Sequence, residues 1–126
     1  MSEVEQLESQ IDVLQKEVSR LETDIKMKHD QTNTTMANAK MKMQQAQKFE
    51  DTAKAQSFER EIKNIESIAD SEITSMQRQL DSKKSELDQH KKQYQKALDS
   101  QKTLKKRHAL AAAQILTDQA LDNTRS

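Results

Sequence analysis

The clearest pattern in the chain is an alternation of apolar residues three and four positions apart, which begins near the N-terminus. With polar residues in between, this spacing is the a/d heptad repeat of a coiled coil. We therefore expect a long α-helix that buries one narrow stripe, here called the seam, against another helix. The first part of the seam consists of Val4, Leu7, Ile11, Leu14, Val18, Leu21 and Ile25.

The seam weakens where Lys28, Thr32 and Thr35 occupy the next heptad positions. Threonine and asparagine are poor helix formers, so a bend at 30–35 is one hypothesis. Beyond this stretch alanine recurs every seven residues from Ala39. A small residue once per heptad would allow two helix backbones to approach closely.

The seam resumes in the second half of the chain, with two consecutive steps of four from Ile65 through Ala69 to Ile73. Such a stutter locally unwinds a supercoil. Lys83, His90 and Gln101 interrupt the later part. The apolar seam positions of this half are Ile62, Ile65, Ile73, Met76, Leu80, Leu87, Tyr94 and Leu104, with Ala69 and Ala97 between them.

The two halves match each other when the chain is folded antiparallel about residue 54. Residue i then faces about residue 108 − i, so that Val4 meets Leu104. The same register lays the acidic stretch 3–24 along the basic stretch 84–105. A parallel dimer would instead place like charges side by side, which flanking charge pairs disfavour.

These patterns predict an all-α protein, an elongated antiparallel coiled coil with a heptad seam. It forms either a helical hairpin or an antiparallel dimer of long unbroken helices, since both satisfy the same register. The region of the bend contains no glycine or proline, and Ser57 is a candidate cap for the following helix. The predicted single domain consists of helix 1 at about 2–50, a bend at about 51–56 or alternatively 30–35, helix 2 at about 57–108 and an Ala-rich end segment at 109–126.

Composition narrows the class of protein. The 126 residues include 21 Lys and Arg, 21 Asp and Glu, and no Gly, Pro, Cys or Trp. Without cysteine there is no disulfide framework, and a net charge of zero argues against binding to nucleic acid. No stretch approaches the ~20 apolar residues of a transmembrane helix, and the acidic start does not resemble a signal peptide. We expect a soluble protein, intracellular or within an assembled particle.

The three histidines are the only candidates for metal or acid–base chemistry. His29, His90 and His108 are far apart, and none has a second His or Cys at helical spacing. We interpret His90 and His108 as polar seam residues. No glycine-rich phosphate loop is possible without glycine. The sequence therefore predicts no metal, no cofactor and no enzymatic activity.

Two segments are candidates for docking a protein partner. Methionines around position 40 could form an adaptable patch, and Met41 lies off the seam that Met36 and Met43 occupy. The Ala-rich end is the least charged segment, and its apolar residues follow a basic run at 102–107. A membrane-surface role for this end is weaker, because it lacks Trp and Phe. The candidate docking residues are Met36, Met41, Met43, Ala109, Ala112, Ala113, Leu116 and Leu121.

In gross design, residues 1–115 resemble the hairpin core of membrane-remodelling proteins of the phage-shock and ESCRT-III groups. The resemblance lies in the long antiparallel helical pair, the basic stretch and the Ala-rich end. It implies a hairpin that assembles into a membrane coat or a filament. Coiled-coil stalk proteins, secretion chaperones and viral scaffolding proteins share the same composition.

Two functional hypotheses follow. In the first, the protein is a non-enzymatic structural coiled coil that self-associates, as a homo-oligomer, or docks as a subunit of a larger assembly. In the second, it is a binding module of the chaperone or adaptor type, which holds a partner helix.

Overall fold

The computed structural model describes residues 2–125, without the side chain of Arg125, and consists of two α-helices. Helix α1 spans Glu3–Lys48 and helix α2 spans Thr52–Arg125. The two helices pack against each other as a helical hairpin, and the described residues contain no strand. The predicted all-α hairpin is thus confirmed, and the chain adopts this arrangement rather than an unbroken helix.

Helix α1 begins with a side-chain cap. The Ser2 Oγ accepts a hydrogen bond from the backbone N–H of Glu5 at 3.2 Å, and the Ser2 carbonyl accepts one from Gln6 N–H at 3.0 Å. Serine at this position satisfies a backbone donor that has no partner within the helix. Glu3 and Glu5 in the first turn also favour the positive end of the helix dipole.

Helix α1 ends in a tight turn built without glycine. Asp51 N–H donates to the Ala46 carbonyl at 2.8 Å and Glu50 N–H donates to the Gln47 carbonyl at 3.0 Å. This pair of hydrogen bonds is the Schellman motif that closes many helices. Glu50 takes the left-handed conformation, with a φ of 57°. A glycine adopts this conformation at lower cost, so the sequence gives little sign of the turn.

The turn residue Asp51 also starts helix α2. Its Oδ1 accepts a hydrogen bond from Lys54 N–H at 3.2 Å, which makes Asp51 the N-cap. The predicted bend at about 51–56 is therefore wrong for residues 52–56, which form the first turns of α2, and Ser57 lies inside α2 rather than capping it. The break in the helix occupies residues 49–51.

The alternative bend at 30–35 is also wrong, because this stretch continues α1. The hydroxyls of Thr32, Thr34 and Thr35 donate to the carbonyls four residues earlier, at 2.8, 3.0 and 2.9 Å. Threonine hydroxyls can make such bonds inside a helix. The bend at 30–35 was predicted from helix propensity alone, which is a weak guide when tertiary packing is present.

The hairpin divides into two units, of which the turn unit spans Val13–Glu86. Lys83 Nζ lies 3.0 Å from Glu17 Oε2, Lys84 Nζ lies 3.6 Å from Glu22 Oε1, and Lys28 pairs with Glu72. The seam residues that are buried in this unit are Leu14, Val18, Ile25, Ala39, Ala46, Ile62, Ala69 and Leu80, while Leu21, Ile65, Ile73 and Met76 are half-buried.

These ion pairs correct the predicted register. The residue numbers in the pairs Glu17–Lys83 and Lys28–Glu72 add up to about 100, so residue i lies level with about 101 − i rather than 108 − i. The predicted axis at residue 54 is wrong because the turn is centred on Glu50. The opposition of acidic residues in α1 to basic residues in α2 is retained.

The pattern of burial in α1 contains a second stutter. Lys28, Thr32 and Met36 are half-buried at steps of four, whereas Thr35, the expected seam residue, is exposed. In the observed register this stutter lies level with the one at Ile65, Ala69 and Ile73. Both helices therefore depart from the heptad repeat at the same place, which keeps their apolar stripes facing each other.

The terminal unit contains the residues up to Asp12 and those from Leu87 on. Val4, Leu7 and Ala97 form a buried cluster, against which Tyr94 and Leu98 pack. Ile11 and Leu87 are half-buried in the same unit. Because Val4 lies with Ala97, its predicted neighbour Leu104 is displaced from the seam and is 52% exposed.

A hydrogen bond ties the start of α1 to α2 in the terminal unit. The Tyr94 hydroxyl donates to Glu8 Oε1 at 2.9 Å. This hydrogen bond, together with partial burial of the ring and the charge of Glu8, raises the pKa of Tyr94 above its ordinary value of 10.0. In the turn unit, the hydrogen bond to Glu17, and the charges of Glu17 and Glu86, raise the pKa of Lys83 above 10.5.

Because Tyr94 is the only tyrosine, its ionisation can be followed by absorbance near 295 nm. We expect the pKa to lie above 10.0 and to fall toward that value in Glu8→Gln, whereas Glu5→Gln should leave it unchanged. A raised pKa in the folded state means that the stabilisation is complete below pH 10 and is lost as the pH rises through the folded-state pKa. Equal titration of all three proteins would show that α1 does not dock on Tyr94.

Candidate association surface

Most of the exposed large apolar side chains that are close together in sequence lie in the stretch of α2 that extends past α1. Helix α2 has 74 residues and α1 has 46. Because Val4 lies with Ala97, α1 has no residues left to cover α2 beyond about residue 98. We call residues 99–125 of α2 the C-terminal segment. Every residue at positions 99–124 is exposed.

The sequence explains why this segment remains helical without a neighbour. Alanine, leucine, glutamine and lysine dominate it, and all have high helix propensity. Thr103 and Thr117 donate from their hydroxyls to the carbonyls four residues earlier, each at 2.9 Å, and Gln114 Nε2 donates to Asp118 Oδ1 at 3.0 Å. Its helical form therefore depends on local interactions.

Large apolar side chains of the C-terminal segment lie in solvent. The exposed fractions are 71% for Leu110, 68% for Leu116 and 58% for Ile115. Leu104 and Leu121 are each about half exposed. By helical spacing, Leu104, Leu110, Ile115 and Leu121 fall on one side of the helix. Exposed apolar residues that are grouped in this way often mark an interaction site.

The predicted docking residues of this end lie within the C-terminal segment and are all exposed. Ala109, Ala113 and Leu116 follow helical spacing and share one face. Leu110 and Ile115 are exposed but were not predicted as docking residues, because they lie off that face. The greater length of α2 would have indicated both residues, since a residue that α1 does not reach cannot be buried by α1.

The predicted methionine patch does not form a single surface. Met36 and Met43 are half-buried in the seam, whereas Met41 is 61% exposed. A different apolar residue is exposed close to the turn. Phe49, the last residue before Glu50, is 80% exposed and lines an open cleft with Phe58, Lys42 and Lys54.

Charge is unevenly distributed in the C-terminal segment. Its first part carries a basic run, and its last part carries two acidic residues. The basic run consists of Lys102, Lys105, Lys106 and Arg107, the acidic residues of the last part are Asp118 and Asp122, and Arg125 follows them. Asp99 precedes the basic run.

The histidines do not come together. His29 and His108 are exposed, and His90 is half-buried on the seam side of α2. Among the residues that the structure describes, no three His, Asp or Glu side chains are grouped so that they could hold a metal ion. Within the same residues, neither helix has a stretch that is long and apolar enough to cross a membrane.

Comparison of the chain with protein-family models, curated proteins and solved structures gave no match.

Proposed function

We propose that the protein is a structural coiled-coil element that joins protein chains through the C-terminal segment of α2. The hairpin of α1 and α2 provides the base, and the segment is its association surface. The observation that supports this proposal is the exposure of five large apolar side chains beyond the end of α1. Burial of one such side chain contributes roughly 1.5–3 kcal/mol, so a partner helix would gain substantially by covering them.

The experiment is to disrupt the surface without disrupting the hairpin. We expect Leu110→Lys with Leu116→Lys to abolish concentration-dependent association of the full chain in sedimentation velocity. Lysine is a good helix former and both positions are exposed, so the helix content by circular dichroism should not change. Unchanged association in this variant would overturn the proposed location of the surface.

A second candidate function is the binding module, with the surface around Phe49 as its contact. An aromatic residue that is 80% exposed is a typical anchor for a partner. Phe49→Lys is therefore the matched control in the same experiment. If Phe49→Lys removes association and the double variant does not, the binding module near the turn replaces the first proposal.

A further inference from the structure

The charges of the C-terminal segment are arranged about a centre. The basic run at 102–107 and the acidic pair at 118 and 122 lie at similar distances on either side of the step from Ala112 to Ala113.

The large apolar residues show the same symmetry. Leu104 and Leu121 are equally far from a centre between Ala112 and Ala113, and so are Leu110 and Ile115. Each of these four side chains is at least 51% exposed. Four of the five large apolar residues therefore keep their positions when the segment is read in either direction, and the fifth, Leu116, is level with Ala109.

We propose that the partner of the C-terminal segment is the same segment of a second copy of the chain, antiparallel, with the twofold axis between Ala112 and Ala113. This inference rests on the proposed function and names its partner. A twofold interface uses the same surface on both copies, and so requires a self-complementary pattern. The segment has this pattern in both its charges and its apolar residues.

In this arrangement, opposite charges lie level with each other. The basic run of one copy lies along the part of the other copy that contains Asp118 and Asp122. A parallel pair would instead set the basic runs side by side. Such pairs are individually weak, so they select the orientation while the apolar residues supply most of the affinity.

The arrangement also continues the packing already present in the hairpin. The seam of α2 runs on from Ala97 through Leu104, Ala111 and Ile115 at heptad spacing. With the axis between Ala112 and Ala113, residue 125 of one copy lies level with residue 100 of the other. The second copy would therefore cover α2 as far as the place where α1 begins, and Ala111, which lies on the seam, would allow the two helices to approach closely.

Spin labels test the orientation directly, because the chain has no cysteine that would need to be removed. Single cysteines replace Gln114, His108 or Thr103 in the full chain, which lie beside the apolar residues of the proposed interface, and each is labelled with a nitroxide. Antiparallel copies separate by about 3 Å for each residue from the axis, since each helix rises 1.5 Å per residue. We expect axial separations of about 5 Å at Gln114, about 14 Å at His108 and about 29 Å at Thr103.

The outcomes distinguish this inference from the proposed function. Equal short distances at all three sites would indicate parallel copies and would overturn the antiparallel axis, while the segment would remain an association surface. No dipolar coupling at any site, at concentrations where the chain associates, would overturn self-pairing through this segment. The Leu110→Lys and Leu116→Lys variant decides separately whether the surface lies on the segment at all.

Discussion

Cysteines that replace Val4 and Ala97 should form a disulfide readily within one chain. The two side chains lie in the same buried cluster of the terminal unit, which is the proximity that a disulfide needs. The bond would close a loop of nearly 100 residues, so we expect the oxidised protein to gain roughly 4 kcal/mol in free energy of unfolding. Non-reducing gels and urea unfolding, with and without reductant, measure both effects.

The matched control pairs Val4→Cys with Leu104→Cys, which is the partner predicted from an axis at residue 54. Leu104 is seven residues beyond Ala97, about 10 Å along the helix, so an intramolecular bond should form poorly at low protein concentration. If the control pair bridges efficiently and the first pair does not, the register described here is wrong.

The difference between these two registers explains what the sequence could and could not predict. A shift of seven residues is one heptad, so the apolar seam still faces the apolar seam after the shift. The acidic start of α1 also still faces the basic part of α2. Both signals on which the axis at residue 54 depended are therefore insensitive to this error.

The positions of the two stutters, in contrast, depend on the register and would have revealed an error of one heptad. A shift of one heptad moves Thr32 away from Ala69, and the departures from the heptad repeat no longer coincide. The stutter in α1 could not be recognised from the sequence, because Lys28, Thr32 and Met36 do not form an apolar stripe. The turn was hidden for a related reason, since Glu50 occupies a left-handed position where glycine is the usual signal.

The exposed apolar residues beyond α1 were predictable only in part. The Ala-rich end stood out by its low charge, and Leu116 and Leu121, which were predicted there as docking residues, are exposed. Leu104 was assigned to the buried seam, because the predicted register was wrong by one heptad and placed Val4 of α1 opposite Leu104. An error in register thus changes which apolar residues are counted as core and which as surface.

Leu80→Ala should lower the free energy of unfolding by roughly 2–5 kcal/mol, the range for truncation of buried leucines. Leu80 is only 4% exposed in the seam of the turn unit. A two-helix core is one side chain wide, so neighbouring residues have few ways to fill the space that the substitution leaves. Urea unfolding followed by circular dichroism measures the change.

Leu110→Ala is the control, because it makes the same substitution in the same helix at a position that is 71% exposed. At concentrations where the chain is monomeric we expect it to alter stability by less than about 0.5 kcal/mol. In the proposed interface Leu110 is covered by a partner, so the same variant should weaken association at higher protein concentration. The two leucines therefore separate the seam that holds the hairpin together from the proposed association surface. If Leu110→Ala destabilised the monomer as much as Leu80→Ala, α1 or another part of the chain would have to cover the C-terminal segment.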